Sequence, residues 1–227
     1  MYLAVGDPAT FDAPPDLGSD ENYNRCLKWN GWLSKKRELF AVTPEVPVAM
    51  TVGTNDVAAI TEIEGRVFTK RALPKQHFLL KCLHGAGDPL PFLAVADTVK
   101  QEVSVYRSEF GVLEFEGKMP PTSISLAGKA DVTGRIALHS EYGYAYEGAI
   151  IVKLRRNGKE EVKVIGSPEN PIRWVDNPCP PVTAKCPNAW GGKPAYGWNG
   201  SNWEKGFSPF PSEWGDNPSD PPMGPMD

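Results

Sequence analysis

The chain has 227 residues, with 24 basic against 28 acidic side chains, a net charge of −4 and 41% hydrophobic residues. This length suits one domain, or one domain with appendages. The charge balance lacks the basic surplus that neutralises phosphates, and no apolar run approaches the roughly 20 residues that span a bilayer, so we expect neither a nucleic acid nor a membrane as partner.

Residues 1–18 are predicted to form an extended N-terminal arm. Pro8, Pro14, Pro15 and Gly18 interrupt this segment, and proline removes the backbone donor that a helix or a central strand needs. The segment has neither a charged start nor a long apolar stretch, as a signal peptide would. We therefore expect synthesis in the cytoplasm without a signal peptide.

A short helix is predicted to follow the arm. Ser19 or Asp20 can cap its first turn, where the acidic Glu21 also complements the helix dipole. Basic residues at Lys35–Arg37 suit the end of such a helix. Gly31 and the Trp29–Trp32 segment leave a turn as the alternative.

From Pro44 the chain is predicted to be a series of short β-strands. β-Branched runs alternate with turn signals at roughly ten-residue spacing, which favours an antiparallel sandwich or barrel-like body. The clearest signal is Asn157-Gly158 between two apolar runs, which predicts a two-residue hairpin with a type I′ turn. The predicted strands are Val46–Val52, Val57–Ile63, Arg66–Lys70, His77–Leu83, Thr98–Arg107, Phe110–Glu116, Ser123–Leu126, Asp131–His139 and the hairpin Ala149–Ile165. A turn is expected at Glu64-Gly65, and Phe110–Glu116 is expected to pair with Thr98–Arg107 as a hairpin.

Residues 167–227 are predicted to form an extended C-terminal arm, which leaves 19–166 as the β-rich body with its N-terminal helix. Prolines and glycines recur throughout the arm, a composition that by itself predicts disorder. The many large rings argue otherwise, because a solvated linker has little use for side chains that can each bury about 150–250 Å². We therefore expect the arm to lie against a surface.

Three interpretations of the arm's rings stay open. They can contact neighbouring subunits, pack on this chain's own sheets, or stack on sugar rings as in a carbohydrate-binding module. The first is favoured because stiff proline segments lose little entropy on docking. The predicted partner-binding residues are Trp190, Tyr196, Trp198, Trp203, Phe207, Phe210 and Trp214.

Catalytic and metal-binding motifs are weak in this sequence. The His-Gly-rich segment 83–88 could serve as the oxyanion hole of a hydrolase, but no G-x-S-x-G nucleophile motif accompanies it. Cys82 and His84 do not have the paired spacing of a zinc signature with Cys179 and Cys186. We expect no catalytic residues, metal or cofactor. Cys179 and Cys186 are close enough in sequence to form a disulfide in an oxidising setting.

The favoured function is a non-enzymatic structural protein of a large symmetric assembly. The concrete version is a virion component, such as a capsid cement or decoration protein or a head–tail or tail subunit, incorporated into the particle after cytoplasmic synthesis. Its partners would be copies of itself or another structural protein. The alternative is a carbohydrate-binding module that uses the arm tryptophans, and the third possibility is a hydrolase.

Overall fold

The computed structural model describes residues 2–15, 32, 35–80, 91–109, 112–128, 130–177, 194–199 and 201–206. These residues are mainly β, and we number their strands in chain order. The strands are β1 (Tyr2–Val5), β2 (Leu39–Val42), β3 (Glu45–Val52), β4 (Val57–Ala72), β5 (His77–Leu80), β6 (Phe92–Asp97), β7 (Glu102–Glu109), β8 (Val112–Met119), β9 (Ile124–Ala127), β10 (Ala130–His139), β11 (Tyr144–Arg156), β12 (Lys159–Ile165), β13 (Ile172–Val175), β14 (Ala195–Trp198) and β15 (Trp203–Lys205).

The chain divides into two compact units. Unit 1 comprises Met1–Glu38, Gln76–Gly85 and Lys193–Asp227, and unit 2 comprises Leu39–Lys75 and Ala86–Gly192. The sequence predicted a different division, into two arms and a body with boundaries after residues 18 and 166. That division stays a prediction.

Unit 2 contains two groups of hydrogen-bonded strands around one apolar core. One runs in the order β2-β13-β11-β4-β9, with β12 also on β11, and the other runs β3-β10-β6-β7-β8. Strand residues that alternate between core and solvent supply most of the core, as the period-2 pattern of β10 illustrates with Val132, Ile136 and Leu138. Side chains from both groups belong to this core, among them Ile60, Phe92, Val105, Ile136, Ile150 and Trp174.

The sheets are mixed rather than antiparallel, which corrects the prediction. The β6–β10, β2–β13 and β5–β14 pairs are parallel, whereas pairs such as β3–β10, β4–β11 and β7–β8 are antiparallel. The local turn signals identified the hairpins, but they carry no information on pairs joined by long connections. Within the described residues the strand orders have free ends, so the sheets are not closed into a barrel.

The Asn157-Gly158 hairpin is confirmed. β11 and β12 pair in register from Arg156 opposite Lys159 to Ile150 opposite Ile165. Asn157 and Gly158 have φ values of 49° and 79°, which lie in the region that a type I′ turn requires and that these two residue types tolerate. The Asn157 side chain also accepts a hydrogen bond from the amide of Val57 at 2.9 Å.

The predicted turn at Glu64-Gly65 is wrong, because both residues lie inside the continuous strand β4. Gly65 opposes Ile150 of β11. A Cβ at this position would lie 2.9 Å from the Cγ2 of Thr98 and 3.0 Å from the Cδ2 of Leu138. The glycine therefore permits a close approach of neighbouring elements, which is the other common reason for glycine within a strand.

The predicted strand Thr98–Arg107 begins too early. Residues 98–101 form a turn, in which the carboxylate of Asp97 accepts the amides of Val99 and Lys100. The strand before that turn, β6, was missed because its first five residues are all buried and show no alternation. The predicted hairpin between Thr98–Arg107 and Phe110–Glu116 is confirmed, since β7 and β8 pair in antiparallel fashion.

The two predicted arms contain paired strands in their described parts. β1 lies in the N-terminal segment, and β13, β14 and β15 lie in the C-terminal one. β13 is a central strand between β11 and β2, although its residues were expected to belong to an extended arm. The residues of the predicted N-terminal helix lie almost entirely outside the described part of the chain.

Unit 1 brings together three segments that are far apart in sequence. Its described strands hydrogen bond in the order β15-β14-β5-β1. β1 is antiparallel to β5, with Tyr2 opposite Leu80. β14 continues on the other side of β5, where the amide of Leu79 also donates to the carbonyl of Pro194 at 3.0 Å.

Candidate functional site

Three of the predicted partner-binding residues, Tyr196, Trp198 and Trp203, lie together on the β14–β15 hairpin of unit 1. Trp198 and Trp203 are opposite each other in its register. The connecting turn is held by Asn199, whose side-chain oxygen accepts the amides of Ser201 and Asn202 at 3.0 and 2.9 Å. An asparagine that hydrogen bonds its own backbone in this way is a standard turn former.

Trp203 is the buried centre of this group, with a relative exposure of 7%. Its indole nitrogen donates to the carbonyl of Asp12 at 3.1 Å. Its ring stacks on Trp32 at 6.5 Å between centroids and meets Phe11 and Trp198 edge-on at 6.2 and 5.2 Å. A residue proposed for partner contacts is therefore packed within its own unit.

Two rings of β5 and β14 extend the group. Phe78 meets Tyr196 edge-on at 5.2 Å and Phe11 at 5.5 Å. We call Phe11, Trp32, Phe78, Tyr196, Trp198 and Trp203 the aromatic cluster. Sequence analysis missed its first three members, because rings that meet only in the folded chain leave no periodic signal.

A cavity of about 620 Å³ opens beside the aromatic cluster. Its apolar wall is made by Phe11, Tyr196, Trp198 and Trp203. Polar side chains, all exposed, also line it: Asp7, Ser201 and Asn202. The carboxylate of Asp7 accepts the amide of Ala9 at 2.9 Å, which orients it within its own turn. A concave apolar surface with a few converging polar groups is the usual form of a ligand site.

The other predicted site residues lie outside the described part of the chain. These are Trp190, Phe207, Phe210 and Trp214 of the partner-binding set and the two candidate disulfide cysteines, Cys179 and Cys186. Cys82 and His84, considered for zinc, also lie there. Their predictions stand untested.

Unit 2 contains a buried polar cluster with the residue types of a catalytic triad. The Nδ1 of His139 lies 2.8 Å from the Oδ2 of Asp176, outside hydrogen-bond geometry. A nucleophilic serine would hydrogen bond to the imidazole, whereas the hydrogen bonds of the neighbouring Ser140 hydroxyl are to other residues. This hydroxyl accepts from the indole nitrogen of Trp174 at 2.9 Å and shares a hydrogen bond with the hydroxyl of Thr98 at 2.7 Å. The arrangement does not resemble a triad.

Asp176 instead joins several parts of unit 2. Its fully buried carboxylate accepts the amides of Ser140 at 2.6 Å and Asn177 at 2.7 Å and the hydroxyl of Thr43 at 3.3 Å. Buried charge is tolerated where hydrogen bonds satisfy it in this way. We infer that the cluster is a structural clamp, in which the Asp176 carboxylate holds the segments of Thr43, Ser140 and Asn177 together by hydrogen bonds.

Tyr146 packs beside this clamp. Its ring stacks on Trp174 at 5.3 Å between centroids, and its hydroxyl donates to the carbonyl of Glu141 at 3.0 Å. Burial raises the pKa of Tyr146 above the ordinary tyrosine value. The neutral phenol is therefore the form that the fold accommodates.

Two strands at the ends of the unit 2 sheets carry exposed apolar side chains. On β12, Val162 and Val164 are 57% and 60% exposed. On β8, Val112 and Phe115 are 62% and 59% exposed. In the described part of the chain β12 pairs only with β11, and β8 pairs only with β7.

A cleft of about 660 Å³ in unit 2 lies beside β12. Buried side chains such as Met50, Ile60 and Phe92 line it, together with the exposed Glu161 and Lys163 of β12. Glu161 and Lys163 therefore share the face of β12 that lines the cleft, whereas Val162 and Val164 lie on the opposite face together with Glu160.

Comparisons with protein-family models, with curated proteins and with solved structures found no match to this chain. Among the described residues, no helix has the length and apolar character needed to cross a bilayer.

Proposed function

We propose that this chain is a non-enzymatic structural subunit that assembles with copies of itself. The observation that carries the proposal is the β12 edge of unit 2. Exposed, unpaired edge strands with apolar side chains are templates for pairing with another chain, and monomeric proteins usually block them. The described neighbours of β12 do not block its outer edge.

The charge pattern of β12 suits pairing with a second copy of the same strand. β12 has seven residues, and Val162 is the fourth. An antiparallel pair centred on Val162 aligns the whole strand and places each Glu161 opposite the partner's Lys163. Opposite charges at directly opposed positions stabilise strand pairs by roughly 0.2–1 kcal/mol each. Because of the two-fold symmetry, this Glu161–Lys163 contact occurs twice in the pair of chains.

Other symmetric registers of β12 are worse. Centring on Glu161 opposes it to its own copy and Lys159 to Lys163 of the second chain, so like charges meet at three positions. Centring on Lys163 opposes the two copies of that lysine. Because like charges opposite each other are destabilising, the charges select the register centred on Val162.

The β8 edge offers such complementarity only in a shifted register. Centring β8 on Gly117 opposes Glu116 to Lys118 of the second copy, but it aligns only part of the strand, and both side chains are already paired at 2.7 Å, Glu116 with Arg107 and Lys118 with Glu102. Centring β8 on Phe115 opposes Glu114 to Glu116 of the second copy, and centring it on either glutamate opposes that residue to itself. β8 is therefore the less suitable strand for a symmetric contact, despite the exposed ring of Phe115. The charge patterns therefore favour β12 over β8 as the strand that pairs two copies of the chain.

A virion component remains the concrete form of this proposal. The support is the composition of the chain, with proline-rich segments at both ends and a β-rich middle, together with a sheet edge that can join copies. The two-fold β12 contact joins copies in pairs, and contacts of other surfaces would join the pairs into a particle.

Charge reversal at the β12 edge tests the proposal. Glu161→Lys and Lys163→Glu each place like charges opposite one another, so each single variant should weaken self-association. The double variant restores opposite charges and should recover it. Sedimentation velocity over a range of concentrations measures the association.

Glu114→Lys on β8 is the matched control, since it reverses one exposed charge on the other edge strand. It should leave the association of the chain unchanged. Equal masses for all four variants would contradict the proposal, as would a double variant weaker than both singles.

A further inference from the structure

We propose that the cavity beside the aromatic cluster of unit 1 binds carbohydrate. This inference goes beyond self-assembly and rests on a different unit. The site combines partly exposed rings at Tyr196 and Trp198 with the polar side chains of Asp7, Ser201 and Asn202. Sugars present an apolar C–H face beside a rim of hydroxyl groups, and this lining complements both.

The rings are held in place before any ligand arrives. Trp203 forms the buried back of the wall, fixed by its hydrogen bond to the Asp12 carbonyl and by its stack on Trp32. Trp198 stands edge-on to it at 5.2 Å, and Tyr196 rests against Phe78. Rigid rings lose little conformational entropy on binding, which favours affinity in a site of modest size.

The polar rim is positioned by its own turns. Asn199 accepts the amides of Ser201 and Asn202 and donates through its side-chain nitrogen to Glu204 at 2.8 Å. One oxygen of the Asp7 carboxylate accepts the amide of Ala9. The side chains of Asp7, Ser201 and Asn202 therefore face the cavity from backbone that is already hydrogen bonded.

The side chains that line the cavity favour a sugar over two other classes of ligand that bind to aromatic residues, proline-rich peptides and quaternary ammonium ions. A proline-rich peptide offers carbonyl acceptors, and aromatic grooves normally meet these with ring donors. Here the rim supplies the carboxylate of Asp7, which can only accept hydrogen bonds. Sugar hydroxyls donate to a carboxylate, whereas a proline segment has no donor to offer.

A quaternary ammonium ion is the second alternative. Such a cation binds where several rings surround it within about 6 Å of their centroids. The cavity of about 620 Å³ is wide for one small cation, and it falls in the range of about 300–1,000 Å³ that holds larger ligands. A unit of one to three sugar rings suits it better.

The test is titration of the full chain with defined probes, followed by tryptophan fluorescence and by isothermal calorimetry. The sugar probes are cellotetraose, chitotetraose and mannotetraose, and the competing probes are tetramethylammonium chloride and a deca-proline peptide. We expect saturable binding of at least one sugar. Trp198→Ala should weaken it about tenfold or more, as expected when an aromatic anchor is removed from a binding site.

Three further variants sharpen this test. Trp198→Phe keeps a ring and should retain most of the affinity, and Asp7→Ala should weaken binding because a rim acceptor is lost. Phe115→Ala removes an exposed ring of unit 2 and should leave binding unchanged. Circular dichroism checks that each variant keeps the fold.

Several results would overturn the proposal. They are saturation by tetramethylammonium or by the proline peptide without any sugar, no sugar binding at roughly 10 mM ligand, and sugar binding that survives Trp198→Ala unchanged.

Discussion

The two units differ in how sequence produces their cores. Unit 2 is built from regular strands, and its core is largely aliphatic, with Ile60, Val105 and Ile150 fully or nearly fully buried. Unit 1 combines three distant segments, and in its described part rings from each of them meet in the aromatic cluster. Alternating strands can be recognised locally, whereas a cluster of rings is defined only by the folded chain.

The two proposed activities also lie in different units, self-association in unit 2 and carbohydrate binding in unit 1. Unit 2 presents a strand edge, whose contacts with a second chain would be backbone hydrogen bonds and small aliphatic groups. Unit 1 presents rings around a cavity, whose contacts would be stacking and a few polar bonds. Substitutions in one unit should therefore leave the activity of the other intact.

The largest effect is expected from Trp203→Ala. Removing a buried tryptophan commonly lowers the free energy of unfolding by about 3–5 kcal/mol. We expect a lower melting temperature and faster amide exchange in β1, β5 and β14. Phe115→Ala, at an exposed ring of unit 2, should change stability by no more than about 0.5 kcal/mol.

An unchanged melting temperature for Trp203→Ala would show that this ring contributes little to its own unit. The partner-binding interpretation of the ring would then gain support. Amide exchange followed by mass spectrometry locates the effect.

A smaller loss is expected from Asp176→Ala in unit 2. It leaves the buried amides of Ser140 and Asn177 without their acceptor, at a combined cost of about 3 kcal/mol. Asp97→Ala is the matched control, because Asp97 also accepts two amides, but its side chain is 13% exposed and both amides belong to exposed residues. Water can replace that carboxylate, so the control should lose only about 1 kcal/mol in urea unfolding. Equal losses would show that Asp176 is not a clamp.

The smallest effect is expected from Asn157→Ala at the hairpin that carries β12. Alanine is strained at the observed φ of 49°, and the bond to Val57 is lost, so stability should fall by about 1–2 kcal/mol. Asn157→Gly removes the same side-chain bond but tolerates the backbone angle. It should lose less than alanine in thermal unfolding, and the reverse order would count against the turn assignment.

Sequence analysis predicted unit 2 better than unit 1 for physical reasons. The Asn157-Gly158 turn and the alternation of Val132, Ile136 and Leu138 are local, so the hairpin and β10 were found. Gly65 was misread because glycine marks both turns and close approaches, and only the neighbours decide between them. The parallel pairs could not be predicted, since no local residue specifies them.

The candidate site was predicted in part. Tyr196, Trp198 and Trp203 were chosen because tryptophan and tyrosine are unusual in a proline-rich tract. Phe11, Trp32 and Phe78 were missed because each is an ordinary apolar residue in its own segment. The polar rim of Asp7, Ser201 and Asn202 depends on two turns that meet only after folding.

The mass of the native full-length chain tests the central claim of self-assembly through β12 most directly. Native mass spectrometry and sedimentation equilibrium should show a dimer or a larger even-numbered assembly for the wild type. Val162→Lys opposes two lysines at the symmetry centre and should shift the chain to monomer while keeping its circular dichroism spectrum. A monomeric wild type, or a Val162→Lys chain of unchanged mass, would contradict the account.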